Sequence, residues 1–123
     1  AQGVPVRLPL APPAYRIDWQ RVADSITPRT RMIIVNSPHN PTGTVMSAED
    51  LITLTELAEK HDLIVVSDEV YEHLVFDGQR HESVLRHPAL AARSFAVSSF
   101  GKTYHVTGWK TGYCVAPAAL TTE

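Results

Sequence analysis

The chain is predicted to fold as an α/β protein, a three-layer α/β/α sandwich around a sheet of parallel strands. Three observations predict it. Two short apolar runs, Met32 to Val35 and Leu63 to Val66, flank one amphipathic segment. A third apolar run, Phe95 to Val97, follows. Each of the three is succeeded by a polar cluster. Continuous apolar runs are the pattern of strands covered on both faces. A helix between two of them makes the connection a βαβ crossover, which joins parallel strands.

The elements follow in order. Val4 to Leu10 alternates in part and reads as a strand, which Pro5 and Pro9 push to an edge position. Pro12-Pro13 breaks the chain. Asp18 is placed to cap a helix in which Trp19, Val22, Ala23 and Ile26 share one face. Ile17 and Val22 suit a hydrophobic staple around that cap, and Pro28 ends the helix. Met32 to Val35 is a buried strand, followed by a Pro- and Asn-rich loop, Asn36 to Gly43. Ser47 and Asp50 form a capping-box pattern, and Leu51, Leu54, Leu57 and Ala58 mark the buried stripe of the next helix. Leu63 to Val66 and Phe95 to Val97 are the next strands, and Tyr113 to Ala116 is a fourth, beginning after Gly112.

Bulk properties narrow the function. The 123 residues are 44% hydrophobic and 20% charged, which is a globular composition. A net charge of -2, without a Lys/Arg run, leaves no nucleic-acid footprint. The apolar stretches are too short to span a bilayer. No signal peptide is expected near Ala1. The lone cysteine, Cys114, excludes an internal disulfide and fits a reducing compartment, hence a cytoplasmic location. It reads as a buried, inert thiol in its strand. The chain starts without methionine, inside an apparent strand, and ends at Ala119 to Glu123 as a helix begins. It is therefore expected to be a fragment of a longer protein.

Right-handed crossovers put the loops after successive parallel strands on one edge of the sheet, where ligands of open α/β folds bind. Three polar clusters fall there: Asn36 to Gly43, Ser67 to Tyr71, and Ser98 to Lys102. Lys102 at that edge is either a solvated loop lysine or a partly desolvated amine able to attack a carbonyl. Asp68 is either a helix cap or a carboxylate facing a cationic nitrogen. Tyr71 is a core aromatic or a neighbour of that ligand. Asn40 sits between prolines and before Gly43, in ordinary turn chemistry or as a held amide. The conjunction of amide, acid and amine after successive strands is more informative than any one of them.

These residues carry a family resemblance. Asn36-Ser37-Pro38-His39-Asn40-Pro41-Thr42-Gly43 resembles the Asn-Pro-Thr-Gly loop of class I and II aminotransferases. Asp68-Glu69-Val70-Tyr71 resembles their Asp-Glu-x-Tyr element, and Ser99-Phe100-Gly101-Lys102 their Ser-x-x-Lys segment, running on into Thr107 to Tyr113. His39 and the run from Ser98 to Trp109 are most similar to the methionine and kynurenine type. The resemblance implies fold type I, with this chain as the middle of the large, pyridoxal-phosphate-binding domain. Its sheet would be mainly parallel, with Tyr113 to Ala116 as the one antiparallel strand.

The resemblance also implies roles. Lys102 would hold pyridoxal 5'-phosphate as a Schiff base and then shuttle a proton. Asp68 would pair with the pyridine nitrogen and keep it protonated, making the ring an electron sink. Asn40 and Tyr71 would hydrogen-bond the phenolic oxygen. Ser99 and Lys110 would contact the phosphate; Lys110 departs from the arginine common in the family, replacing a planar fork by a point charge. The phosphate-cradling helix start and the stacking aromatic would precede Ala1, and the carboxylate-binding arginine would follow Glu123. The isolated chain is thus expected to bind the cofactor weakly and not to transaminate. The whole protein would use amino acid and 2-oxo acid substrates and form a homodimer.

Two alternatives stay open: a carbon–sulfur β-lyase sharing these motifs, and the aminotransferase-like sensor domain of a transcription regulator. His73, His81 and His87 are spread over a polar segment without metal-ligand spacing, so no metal site is expected. His105 reads as a loop residue, Trp19 as core, and Trp109 as packing beneath the cofactor loop.

Overall fold

The centre of the molecule is a four-stranded sheet in the order β1 (Met32–Asn36), β2 (Ile64–Asp68), β3 (Ser94–Ser99) and β4 (Gly112–Val115). It is seen in a computed structural model that describes residues 3–122. Ala1, Gln2 and Glu123 lie outside the described residues, and the expectations of a strand already running at Ala1 and of a helix reaching Glu123 fall partly on them. β1 pairs parallel to β2 and β2 parallel to β3, whereas β4 runs antiparallel to β3. Both the crossover rule and the antiparallel exception are met.

The helix between β1 and β2, α2 (Ala48–Lys60), starts at a complete capping box. The Ser47 side chain accepts from the Asp50 N–H, and the Asp50 carboxylate accepts from the Ser47 N–H at 2.8 Å. Two of the four orphan amides of the helix start are satisfied in this way. Asp50 also accepts from the Trp19 indole N–H at 2.7 Å. This ties α1 (Trp19–Ser25), itself capped by Asp18, to the start of α2. Arg93 closes the other end of α2, donating to the Ala58 carbonyl at 3.2 Å and to the exposed Asp62 carboxylate.

Leu51, Leu54 and Ala58 of α2 pack with Leu63, Val65 and Ala96 of the sheet region and with Leu90 of α3 (Pro88–Ala91). Leu54, Val65 and Leu90 are fully buried. Each large side chain so removed from water contributes about 1.5–3 kcal/mol before chain entropy is set against it. Ile17, Trp19 and Ile26 pack against this cluster from outside, and of these Trp19 and Ile26 belong to the expected helical stripe. The helical layer thus lies on one face of the sheet. On the opposite face Met32 and Ile34 are 44% and 71% exposed. Of the three expected layers, the described residues build the sheet and one.

Several local expectations are corrected. Residues 4–10 form no strand; Val4 and Val6 are 90% and 70% exposed, with no neighbouring strand to supply a ladder. α1 ends at Ser25, before Pro28 is reached. Cys114 is exposed because every residue of the edge strand β4 is. Trp109 is 75% exposed and covers nothing. The strands also run further than their apolar cores: Asn36, Asp68 and Ser99 are the last residues of β1, β2 and β3. A helix, α5 (Ala118–Thr121), does begin near the C-terminal end. No helix among the described residues is long and apolar enough to cross a membrane.

Candidate active site

Register brings the first two polar clusters together. Asn36 stands opposite Asp68 at the ends of β1 and β2, and Asp68 opposite Val97 on β3. The Asn36 side chain spans the gap: its Nδ2 donates to the Asp68 carbonyl at 3.0 Å and its Oδ1 accepts from the Asn40 N–H at 2.9 Å. The Ser37 N–H adds a second bond to the same carbonyl at 3.1 Å. Asn36 therefore holds the loop of Asn40 against the end of β2. Sequence reading missed this residue as a site element; its signal was an amide at the last position of an apolar strand.

Within that loop the peptide bonds before Pro38 and Pro41 are cis, and Gly43 takes a φ of 74°. The Asn40 Nδ2 donates to the Tyr71 hydroxyl at 3.2 Å. An amide nitrogen donates only, so the Tyr71 oxygen is the acceptor here and its own proton remains available to a third group. Tyr71 sits in the turn that leaves β2, closed by the Glu72 N–H to the Glu69 carbonyl at 2.9 Å. The Asp68 carboxylate accepts from the Val70 N–H at 3.1 Å through Oδ1. Among the described residues no donor reaches its other oxygen.

The third cluster follows β3. Ser99 caps the single turn α4 (Phe100–Thr103), accepting from the Gly101 N–H at 3.1 Å. Gly101 makes the turn close: a Cβ would lie 3.1 Å from the Thr107 backbone and 3.2 Å from the Ser99 hydroxyl, so a larger residue would push a neighbour aside by a few tenths of an ångström. Lys102 is carried in this turn and shares a cleft of about 120 Å³ with Val70, Tyr71, His73, Leu74 and Thr103. Its side chain is exposed, not desolvated, because only these residues wall the cleft. Lys110 follows a 3-10 turn, Thr107–Trp109, in the left-handed conformation with φ 56°. It is tied to Ser99 indirectly: the Ser99 hydroxyl and the Phe100 N–H both donate to the carbonyl of the next residue, Thr111, at 3.3 and 3.2 Å. Asn40 and Tyr71 are thus in direct contact, Tyr71 and Lys102 share a cleft, and Ser99 and Lys110 meet through Thr111.

Beneath the turn after β2 lies a group that sequence reading did not assemble. The Glu69 carboxylate, 4% exposed, accepts from the Ser67 hydroxyl at 2.9 Å and the Val84 N–H at 3.1 Å on Oε1, and from His81 Nε2 at 2.9 Å on Oε2. Burial pushes the Glu69 carboxyl up, but the hydrogen bonds from His81, Val84 and Ser67, with the Ser83 hydroxyl adding to them, together hold it below its ordinary value of 4.5. Glu72 joins β3 and β4, accepting from the Ser98 hydroxyl at 3.3 Å and the Tyr113 hydroxyl at 2.9 Å. Ligand atoms of Glu69, Glu72 and His81 lie within 4.8 Å of one another. The histidine spacing in the sequence concealed this convergence. The Glu69 oxygens are already occupied by three donors.

The sequence profile of class I and II aminotransferases matches residues 1–122. The chain belongs to that family. An Escherichia coli methionine aminotransferase is 53% identical over 121 residues, covering 98% of this chain and 31% of its own length. A rat kynurenine–oxoglutarate transaminase is 38% identical over 128 residues, covering 95% and 30%. Among solved structures, the Escherichia coli protein identified as a methionine aminotransferase superposes with a TM-score of 0.87 at 55% identity, over 90% of this chain and 29% of that one. The N-succinyldiaminopimelate aminotransferase of Mycobacterium tuberculosis gives 0.82 at 46%, over 85% and 27%. The sheet is therefore that of fold type I aminotransferases, and the chain spans somewhat under a third of the relatives it matches.

Proposed function

We propose that the complete protein is a pyridoxal-phosphate-dependent aminotransferase that moves an amino group from methionine, an aromatic amino acid or kynurenine to a 2-oxo acid. The observation that carries this reading is the contact between Asn40 and Tyr71 at the cleft into which Lys102 opens. The donor set fits the cofactor. The Asp68 carboxylate keeps one oxygen without a donor, as a pyridinium N–H requires. Tyr71 keeps its proton for a phenolic oxygen. Ser99 and Lys110 supply a hydroxyl and a cation for a phosphate, and Lys102 supplies an amine for the aldehyde.

When bound, the cofactor supplies an electron-withdrawing ring that stabilises negative charge at the substrate Cα. The chain's own residues do the rest. Asp68 would hold a proton on the ring nitrogen, since a carboxylate beside a cation favours the charged form. Tyr71, held by Asn40, would hydrogen-bond the phenolic oxygen and help to orient the ring. Lys102 would hold the cofactor through its amine, and that amine, when free, would carry a proton to and from the substrate Cα as general base and then general acid. Substrates would be small amino and 2-oxo acids. Homodimerisation and a cytoplasmic location are proposed with this reading, the first from the family and the second from the lone cysteine.

The test is Lys102→Ala in the complete protein. The wild type is expected to show the visible absorbance of lysine-bound cofactor and to convert methionine with a 2-oxo acid. The variant should lose that absorbance and fall by at least about a thousandfold, since an essential nucleophile and proton carrier is removed. Cofactor-dependent release of thiol and pyruvate without amino transfer would replace this reading by the β-lyase. A wild type that binds no pyridoxal phosphate would end it.

A further inference from the structure

We propose that Glu69 and His81 form a positioning pair for Asp68, holding the turn whose Val70 amide fixes the direction of the Asp68 carboxylate; this rests on the aminotransferase reading. Asp68 and Glu69 are consecutive, and the peptide between them is gripped on both sides. Its carbonyl accepts from Asn36 and Ser37 on one flank, and its N–H donates to the Val97 carbonyl at 2.8 Å on the other. That grip fixes the Asp68 backbone but not its carboxylate. Among the described residues, the carboxylate's one hydrogen-bond donor is the Val70 N–H at 3.1 Å. Val70 follows Glu69 and has no place in the sheet ladder, so its position depends on what anchors the turn.

The anchor is the Glu69 side chain. It reaches under the turn to three donors from three stretches of chain: Ser67 on β2, His81 in the loop, and the Val84 N–H at the start of the 3-10 turn Val84–Arg86. His81 is the decisive member. The carboxylate accepts only, so Nε2 must carry the hydrogen that lies between them. The pair is desolvated, with side-chain exposures of 10% and 5%. The other ring nitrogen, Nδ1, is buried without a partner. A solvated ornament would not leave a ring nitrogen orphaned; the ring is held here for the bond that Nε2 makes. A charge-assisted bond in this setting is worth more than a neutral one, and losing one partner leaves the other exposed to the full desolvation penalty.

The experiment uses the complete protein loaded with pyridoxal phosphate labelled with ¹⁵N at the ring nitrogen. His81→Phe keeps the ring volume and removes the donor; His81→Gln keeps a donor. The ¹⁵N shift reads ring-nitrogen protonation, which loss of stability alone would not move. The expected result for His81→Phe is bound cofactor, a shift displaced toward the unprotonated nitrogen, and kcat lowered about tenfold with KM moved less than about twofold. His81→Gln should restore the wild-type shift and most of kcat. If His81→Phe does not fold, Glu69→Gln, of equal size but uncharged, is expected to displace the shift in the same direction. Cofactor-loaded variants with the wild-type shift and kcat would overturn the proposal while leaving the aminotransferase reading intact. A wild type without bound cofactor would overturn both.

Discussion

The residues proposed to serve chemistry at this sheet edge are few, and several are held by neighbours. Asn36 locks Asn40, Asn40 meets Tyr71, Val70 meets Asp68, and Glu69 ties the turn after β2 to Val84. Glu69 makes a prediction that does not depend on catalysis. Its folded carboxyl lies below 4.5, so the folded state releases this proton more readily than the unfolded chain does. The stabilisation is fully present above the ordinary value and is lost as pH falls through the lower, folded one. Melting temperature measured from neutral pH to well below 4.5 should therefore fall more steeply for the wild type than for Glu69→Gln. Parallel curves would show that the site contributes no pH-dependent stability. At this scale the sequence was partly legible. Asn40, Asp68, Tyr71 and Lys102 stand in recognisable order. Glu69 and His81, twelve positions apart across irregular chain, meet only through a loop whose path no periodicity announces. For Lys102 the sequence left a solvated and a desolvated reading open, and the structure decides for exposure, because desolvation depends on walls contributed from elsewhere.

At the scale of elements, what was legible is what is local. A capping box is written within four residues, so the start of α2 could be read directly. A strand is not local: it exists only where a neighbour completes its ladder. Residues 4–10 have the alternation but no such neighbour, and Cys114 and Trp109 have apolar character but lie on an edge strand and an open turn. Asp50 shows how one side chain couples two elements. It closes the capping box with Ser47 and also takes the indole N–H of Trp19 from α1. Ser47→Ala removes one cap bond and should cost about 1 kcal/mol. Asp50→Ala also leaves a half-buried indole donor without a partner, so a loss of roughly 2–3 kcal/mol is expected. Chemical denaturation of the two variants distinguishes them; equal midpoints would mean that the bond to Trp19 contributes nothing.

The whole molecule has one finished side and one open side. Helices bury Val65 and Ala96 on the first, while on the second Ile34, Met32 and Val97 are 71%, 44% and 36% exposed. These residues are the same β-branched and apolar types that made the strands readable as buried on both faces. Its relatives are about three times as long, the Escherichia coli methionine aminotransferase being matched over 31% of its length. We propose that in a complete protein of the relatives' length this open face is buried by further chain. One substitution tests this through opposite signs. Ile34→Thr keeps the β-branch that favours a strand but replaces a methyl-bearing carbon with a hydroxyl. In the isolated segment, where Ile34 faces water, it should reduce binding of hydrophobic dyes and self-association, because a large exposed apolar patch is what drives both. In the complete protein the same change should destabilise by roughly 1–3 kcal/mol, since a buried hydroxyl without a partner is costly. An effect of the same sign in both would mean that this face is solvent-exposed in the complete molecule too, and that its apolar character has some other cause.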